Sequence, residues 1–116
     1  MKFSTLTIVS VLTGKQLGRI DEVYKILDFM TADAVFTHQI PRAMRTCRPD
    51  LQRQFPDLAQ ITPEQITPEN YIEVCRRIME QHGPEKDVSP LPPGVWQPKD
   101  PTEELLEMQI NPEDAE

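Results

Sequence analysis

The chain has 116 residues, 19 acidic against 12 basic, for a formal net charge of -7; this is the size of one domain, and the charge argues against a protein that holds nucleic acid by a basic surface alone. A hydrophobic fraction of 38% with only 6% aromatic residues predicts a modest, mostly aliphatic core, and two cysteines exclude a disulfide framework. No run approaches the roughly 18 apolar residues that a membrane span needs.

The charge is unevenly laid out. Residues 1–82 hold ten Lys/Arg and ten Asp/Glu, whereas residues 83–116 hold two lysines, nine acids and seven of the twelve prolines. This composition shift predicts a neutral helical body over 1–83 and an acidic, proline-rich tail over 84–116.

At the N-terminus, Lys2 before an apolar stretch resembles a weak secretory signal. Ser4, Thr5, Thr7 and Ser10 interrupt it and no small-residue cleavage site follows, so a soluble intracellular protein is expected. The same stretch is β-branched enough for a strand. Leu6, Val9 and Leu12 at three-residue steps, Ser4 as N-cap and Gly14 beyond the end favour a short helix over 4–13, with no convincing second strand to pair with it.

Ile20, Val23, Tyr24, Leu27 and Met30 follow the spacing of a helix face, with Asp21 and Glu22 in the first turn where the helix dipole favours acids. A third helix is expected over 40–48, with Ile40, Met44, Cys47, Leu51 and Phe55 as its apolar stripe. Pro41 suits a helix start, while Pro49 predicts a kink or break before a further helical stretch to about 54.

The doubled "ITPEQITPEN" carries two helix-start signals, each with Thr as N-cap and Pro at the first position. The second opens a helix over 68–82 with Tyr71, Ile72, Cys75, Ile78, Met79 and His82 inward, stopped by Gly83-Pro84. The tail then reads as extended and polyproline-like. Asp100-Pro101-Thr102-Glu103 resembles a capping box that starts a short helix through Met108, with Leu105, Leu106 and Met108 as its apolar edge. The expected fold is therefore all-α: a small bundle of about four helices with an extended acidic tail ending in a short helix.

Two cysteines and two histidines have the inventory of a zinc site but not the spacing. Cys75 and His82 stand about 10.5 Å apart along one helix, and no C-x-x-C pair exists. Cys47 has Arg45 and Arg48 as neighbours, yet its place on the apolar stripe predicts burial rather than a reactive thiolate. No phosphate loop, nucleophile elbow or acidic metal triad occurs, so neither enzyme activity nor a cofactor is expected.

The stronger signal is a set of arginines on the third helix, Arg42, Arg45 and Arg48, on the side away from its apolar stripe. They read either as a solvated face balanced by neighbouring acids or as a patch for an anionic partner, and that partner is nucleic acid or, preferred of the two, the acidic tail folded back or donated by a neighbouring subunit. Trp96, isolated among prolines and polar residues, is expected to anchor in a groove. Glu103, Glu104 and Leu105 of the terminal helix complete the expected partner-binding set.

The segments "VLTGKQL", "IDEVYKILDFMTADAVFTHQIPRA" and "PTEELLEMQ" are similar to a small family of tailed-bacteriophage proteins, the block "FTHQIPRA" being the most specific. That family has no established general activity, so the resemblance carries over no catalytic residue. It implies a phage protein in the host bacterial cytoplasm. By class analogy it implies action through protein–protein binding to a host or phage complex, as in anti-CRISPR inhibitors of bacterial defence. The alternatives are a structural or assembly component of the phage particle and a nucleic-acid-binding regulator.

Overall fold

The computed structural model describes residues 1–110, so the last six residues of the acidic tail lie outside the described residues. Among the described residues the regular structure is five α-helices, one two-stranded sheet and three 3-10 turns (Thr37–Gln39, Leu58–Gln60 and Pro63–Gln65), the helices and strands being β1 (Lys2–Ser4), α1 (Thr5–Thr13), α2 (Ile20–Thr31), α3 (Ile40–Gln54), α4 (Tyr71–His82), β2 (Glu85–Asp87) and α5 (Pro101–Ile110).

α1 is the centre of the molecule, packed against α2, α3 and α4. All of its residues except Leu6 are buried, which explains the ambiguous pattern: a helix covered on every side shows no polar face. Its hydroxyls are satisfied within the fold. Thr13 Oγ1 donates to the Val9 carbonyl at 2.8 Å, and Ser10 Oγ both donates to the Leu6 carbonyl and accepts the Leu17 N–H, each at 2.8 Å. Ser4 Oγ caps the start by accepting the Leu6 N–H, and Gly14 closes the end at φ 76°, a left-handed conformation that suits glycine.

The fold is mostly helical but not purely so. β1 and β2 pair antiparallel with Lys2 opposite Asp87 and Ser4 opposite Glu85. Thr5 extends the tie, its N–H bonding the Pro84 carbonyl at 2.9 Å and its hydroxyl the Gly83 carbonyl at 2.7 Å. A three-residue strand is too short to show alternation, and its partner lies more than eighty residues away.

α3 runs unbroken through Pro49, against the expected kink or break. Pro49 offers no N–H to the preceding turn, a cost of about 3 kcal/mol in an ordinary helix interior. Ala43 and Cys47 before it, and Asp50 and Leu51 after it, are all buried, so both halves of the helix are held by packing. α4 begins at Tyr71, three residues later than expected. The preceding residues form a separate turn in which Thr67 and Asn70 bond each other reciprocally: Thr67 N–H to Asn70 Oδ1 at 2.8 Å, and Asn70 N–H to Thr67 Oγ1 at 3.3 Å. Thr62 and Gln65 form the matching pair around the 3-10 turn Pro63–Gln65. The two repeats thus build two copies of one turn rather than two helix starts.

The expected stripe of α4 is corrected as well. Val74 and Ile78 are buried with Tyr71 and Cys75 partly so, the spacing 71, 74, 75, 78 of a clean helical face, whereas Ile72 is 79% exposed.

The acidic segment does not stand apart from the body. Val88, Leu91 and Trp96 are buried in the same apolar cluster as the helices, so residues 84–110 form an arm strapped onto the core.

Candidate functional site: the arm and its cradle

The arm follows α3 in the reverse direction. Near the C-terminal end of α3, Gln54 clamps Ser89 twice, accepting its N–H at 2.9 Å and donating to its carbonyl at 3.1 Å. Leu91 N–H then bonds the Met30 carbonyl at the end of α2, at 3.0 Å. Beyond Pro92-Pro93, the Trp96 indole N–H donates to Asp33 Oδ2 at 3.0 Å. Asp33 is placed for this by Ala32, which ends α2 at φ 55°, and its other oxygen accepts the Ala34 N–H.

Arg42 is the hub. Its guanidinium carbon lies 3.9 Å from the Trp96 ring centroid, its Nη1 donates to the Gln97 carbonyl at 2.9 Å, and Nε and Nη2 grip the two oxygens of Glu104, each at 2.9 Å. Fork geometry, ring contact and carboxylate recognition together need arginine and not lysine. Gln39, almost wholly buried, completes the cradle. Its Oε1 accepts the Phe36 N–H at 2.9 Å and its Nε2 donates to Glu104 Oε1 at 3.1 Å, which fixes the orientation of the amide. His38 Nε2 donates to the Pro101 carbonyl at 2.7 Å, pinning the first turn of α5. The Arg42 hydrogen bonds hold the Glu104 carboxyl below its ordinary range, with burial opposing and Gln39 assisting.

α5 is capped by Asp100, whose Oδ1 accepts the N–H groups of Thr102 and Glu103. Its inward residue is the carboxylate of Glu104, 5% exposed, while Leu105 and Leu106 are 40% and 51% exposed. Glu103 and Glu107 are exposed beside them. The helix therefore sits with its charge down and its leucines out, the reverse of an ordinary surface helix.

The residues singled out from sequence do not form a single patch. Arg42 joins Trp96 and Glu104. Arg48 turns to α1, where its Nε donates to the Val11 carbonyl at 3.0 Å, a cation capping a helix C-terminus. Arg45 is exposed on α3. Asp33, His38, Gln39 and Gln54 are not marked as arm ligands by sequence alone, although His38 and Gln39 lie in the "FTHQIPRA" block, and the two histidines enter there only as candidates for zinc. Cys47 is fully buried and its thiol is pushed up to about 12 by that burial, an environment for packing rather than nucleophilic chemistry. Among the described residues, no group of three or more His, Cys, Asp or Glu side chains is placed to hold a metal ion, and no helix is long and apolar enough to cross a membrane.

These features define a small helical protein clasped by its own C-terminal arm. Residues 3–61 match the family described as a domain of unknown function (DUF7736), and the chain belongs to that family. The matched span includes the cradle residues Asp33, His38, Gln39 and Arg42, and stops short of Trp96 and Glu104. No curated protein and no solved structure matches the chain.

Proposed function

We propose that this protein is a non-enzymatic binding protein that displays α5 to a partner protein, and that it acts as a phage-encoded inhibitor of a host defence complex in the bacterial cytoplasm. The observation that carries the binding reading is the inverted helix: Glu104 is consumed inward by Arg42 and Gln39, leaving Leu105 and Leu106 outward between Glu103 and Glu107. Leucines cost solvation when left in water, and an apolar pair rimmed by acids matches an apolar groove with a basic rim. The cradle keeps this surface pre-ordered, which lowers the entropy lost on association. The phage and defence part of the reading rests on the sequence resemblance and class analogy alone.

Nucleic acid is not the proposed partner, because Arg42 spends its donors on the arm and Arg48 turns its Nε to α1. The test is phage plating on bacteria carrying a defined CRISPR or restriction system. The wild-type protein is expected to restore plating and the Leu105→Ser/Leu106→Ser variant to fail, with both proteins equally folded. Recovery of the protein in purified virions, with no effect on any such system, would replace the defence reading with a role in particle assembly.

A further inference from the structure

A second surface lies on α4, independent of α5. A cleft of about 480 Å³, within the roughly 300–1,000 Å³ typical of ligand sites, is lined by Ile61, Gln65, Val74, Arg77, Ile78 and Gln81. Its apolar lining comes from Ile61, Val74 and Ile78, and its polar groups are one guanidinium and two carboxamides.

Arg77 has an unusual status in this acidic chain. Arg19 pairs with Asp21, Arg42 with Glu104, Arg53 with Asp50 and Arg76 with Glu73, while Arg48 caps α1 and Arg45 also engages a partner. Glu73, four residues before Arg77 and its natural helical counter-charge, is taken by Arg76. Among the described residues Arg77 makes no ion pair or hydrogen bond, although it sits at the cleft and Glu80 follows it three residues on along α4. Gln65 has its oxygen occupied by the Thr62 N–H and keeps its amide N–H₂ to donate, and Gln81 has both its oxygen and its N–H₂ to offer.

We propose that this cleft binds the carboxyl-terminal end of a peptide chain that finishes in an aliphatic residue. The guanidinium fork meets the two oxygens of the terminal carboxylate, the carboxamides meet the donor and acceptor of the last peptide unit, and the isoleucines and valine cover the side chain. The assignment stands on charge complementarity: a guanidinium held in no ion pair, beside apolar surface, selects a single anion attached to an apolar body. A bare phosphate would leave the apolar lining of Ile61, Val74 and Ile78 uncovered, and a neutral apolar peptide would leave Arg77 unanswered.

The experiment is calorimetric or amide-shift titration of the full chain with acetyl-Gly-Gly-Leu as its free acid, with the same peptide as its C-terminal amide, and with free leucine. The free acid is expected to bind about tenfold or more tightly than the amide, since the amide loses the charge-assisted pair. Arg77→Gln, on an exposed helix position, is expected to erase that discrimination while Arg77→Lys retains part of it. Equal binding of acid and amide by the wild type, free leucine binding as tightly as the peptide, or no saturable binding up to about 10 mM would each overturn the proposal.

Discussion

Arg42 and Glu104, 62 positions apart in the chain, meet through two hydrogen bonds of 2.9 Å, Nε to Oε2 and Nη2 to Oε1. The pair is mostly withdrawn from water, with side-chain exposures of 21% and 7%, so removing either partner strands the other without its solvent shell. A double-mutant cycle with Arg42→Ala and Glu104→Ala, read by urea unfolding, is expected to give a coupling of about 1–3 kcal/mol. Additivity of the two substitutions would mean that the contact contributes nothing.

The same pair makes arm docking depend on pH with a definite sign. Glu104 is held below its ordinary value, chiefly by the Arg42 hydrogen bonds. Its stabilisation is therefore fully present above the unfolded value of about 4.3 and is lost as pH falls through the depressed folded value. The stability gap between wild type and Glu104→Gln is expected to stay constant from about pH 7 to 5 and to close in more acidic buffer. A gap that widened on acidification would have the wrong sign for a paired carboxylate.

Much of the fold was legible in the sequence, and the failures have distinct physical origins. Ser4, Gly14 and Asp100 act as the caps their residue types suggested, because capping is settled by three or four neighbouring residues. The sheet is not legible locally because its pairing joins segments more than eighty residues apart. Pro49 misled because local propensity argued for a break that burial of Cys47 and Leu51 overrides. For the site, Arg42 and Trp96 stood out by composition, but nothing local marks Gln39 or Asp33 as their partners. Leu105 and Leu106 read as an apolar edge, with Glu103, Glu104 and Leu105 all in the partner-binding set, and only the bonds to Glu104 show which way α5 faces.

The end of α1 gives a test of local structure away from the arm. A methyl group at Gly14 would meet only Arg48 Nη2, at 3.9 Å, so there is room for it, and the cost of Gly14→Ala comes from the φ of 76°. A loss of about 1 kcal/mol is expected by thermal or denaturant unfolding. A neutral or stabilising outcome would contradict the left-handed cap.

Thiol chemistry should separate the two cysteines. Cys47 is buried and Cys75 is partly exposed, and burial raises both, with the Tyr71 hydrogen bond opposing the rise at Cys75. In Ellman's assay on the native protein, Cys75 is expected to react first and Cys47 only on unfolding, so that Cys75→Ser removes the early phase. An early phase that survives Cys75→Ser would place Cys47 at the surface.

The account rests on an arm that is clasped by Arg42, and the chain's single tryptophan reports that state directly. Trp96 is buried against Arg42 and bonded to Asp33, so its emission is expected to be blue-shifted and shielded from iodide in the wild type. In Arg42→Ala, with helical circular dichroism largely retained, the emission should move to the red and become quenchable. Wild-type emission already that of a solvated indole, or an Arg42→Ala spectrum and quenching identical to wild type, would contradict the clasp.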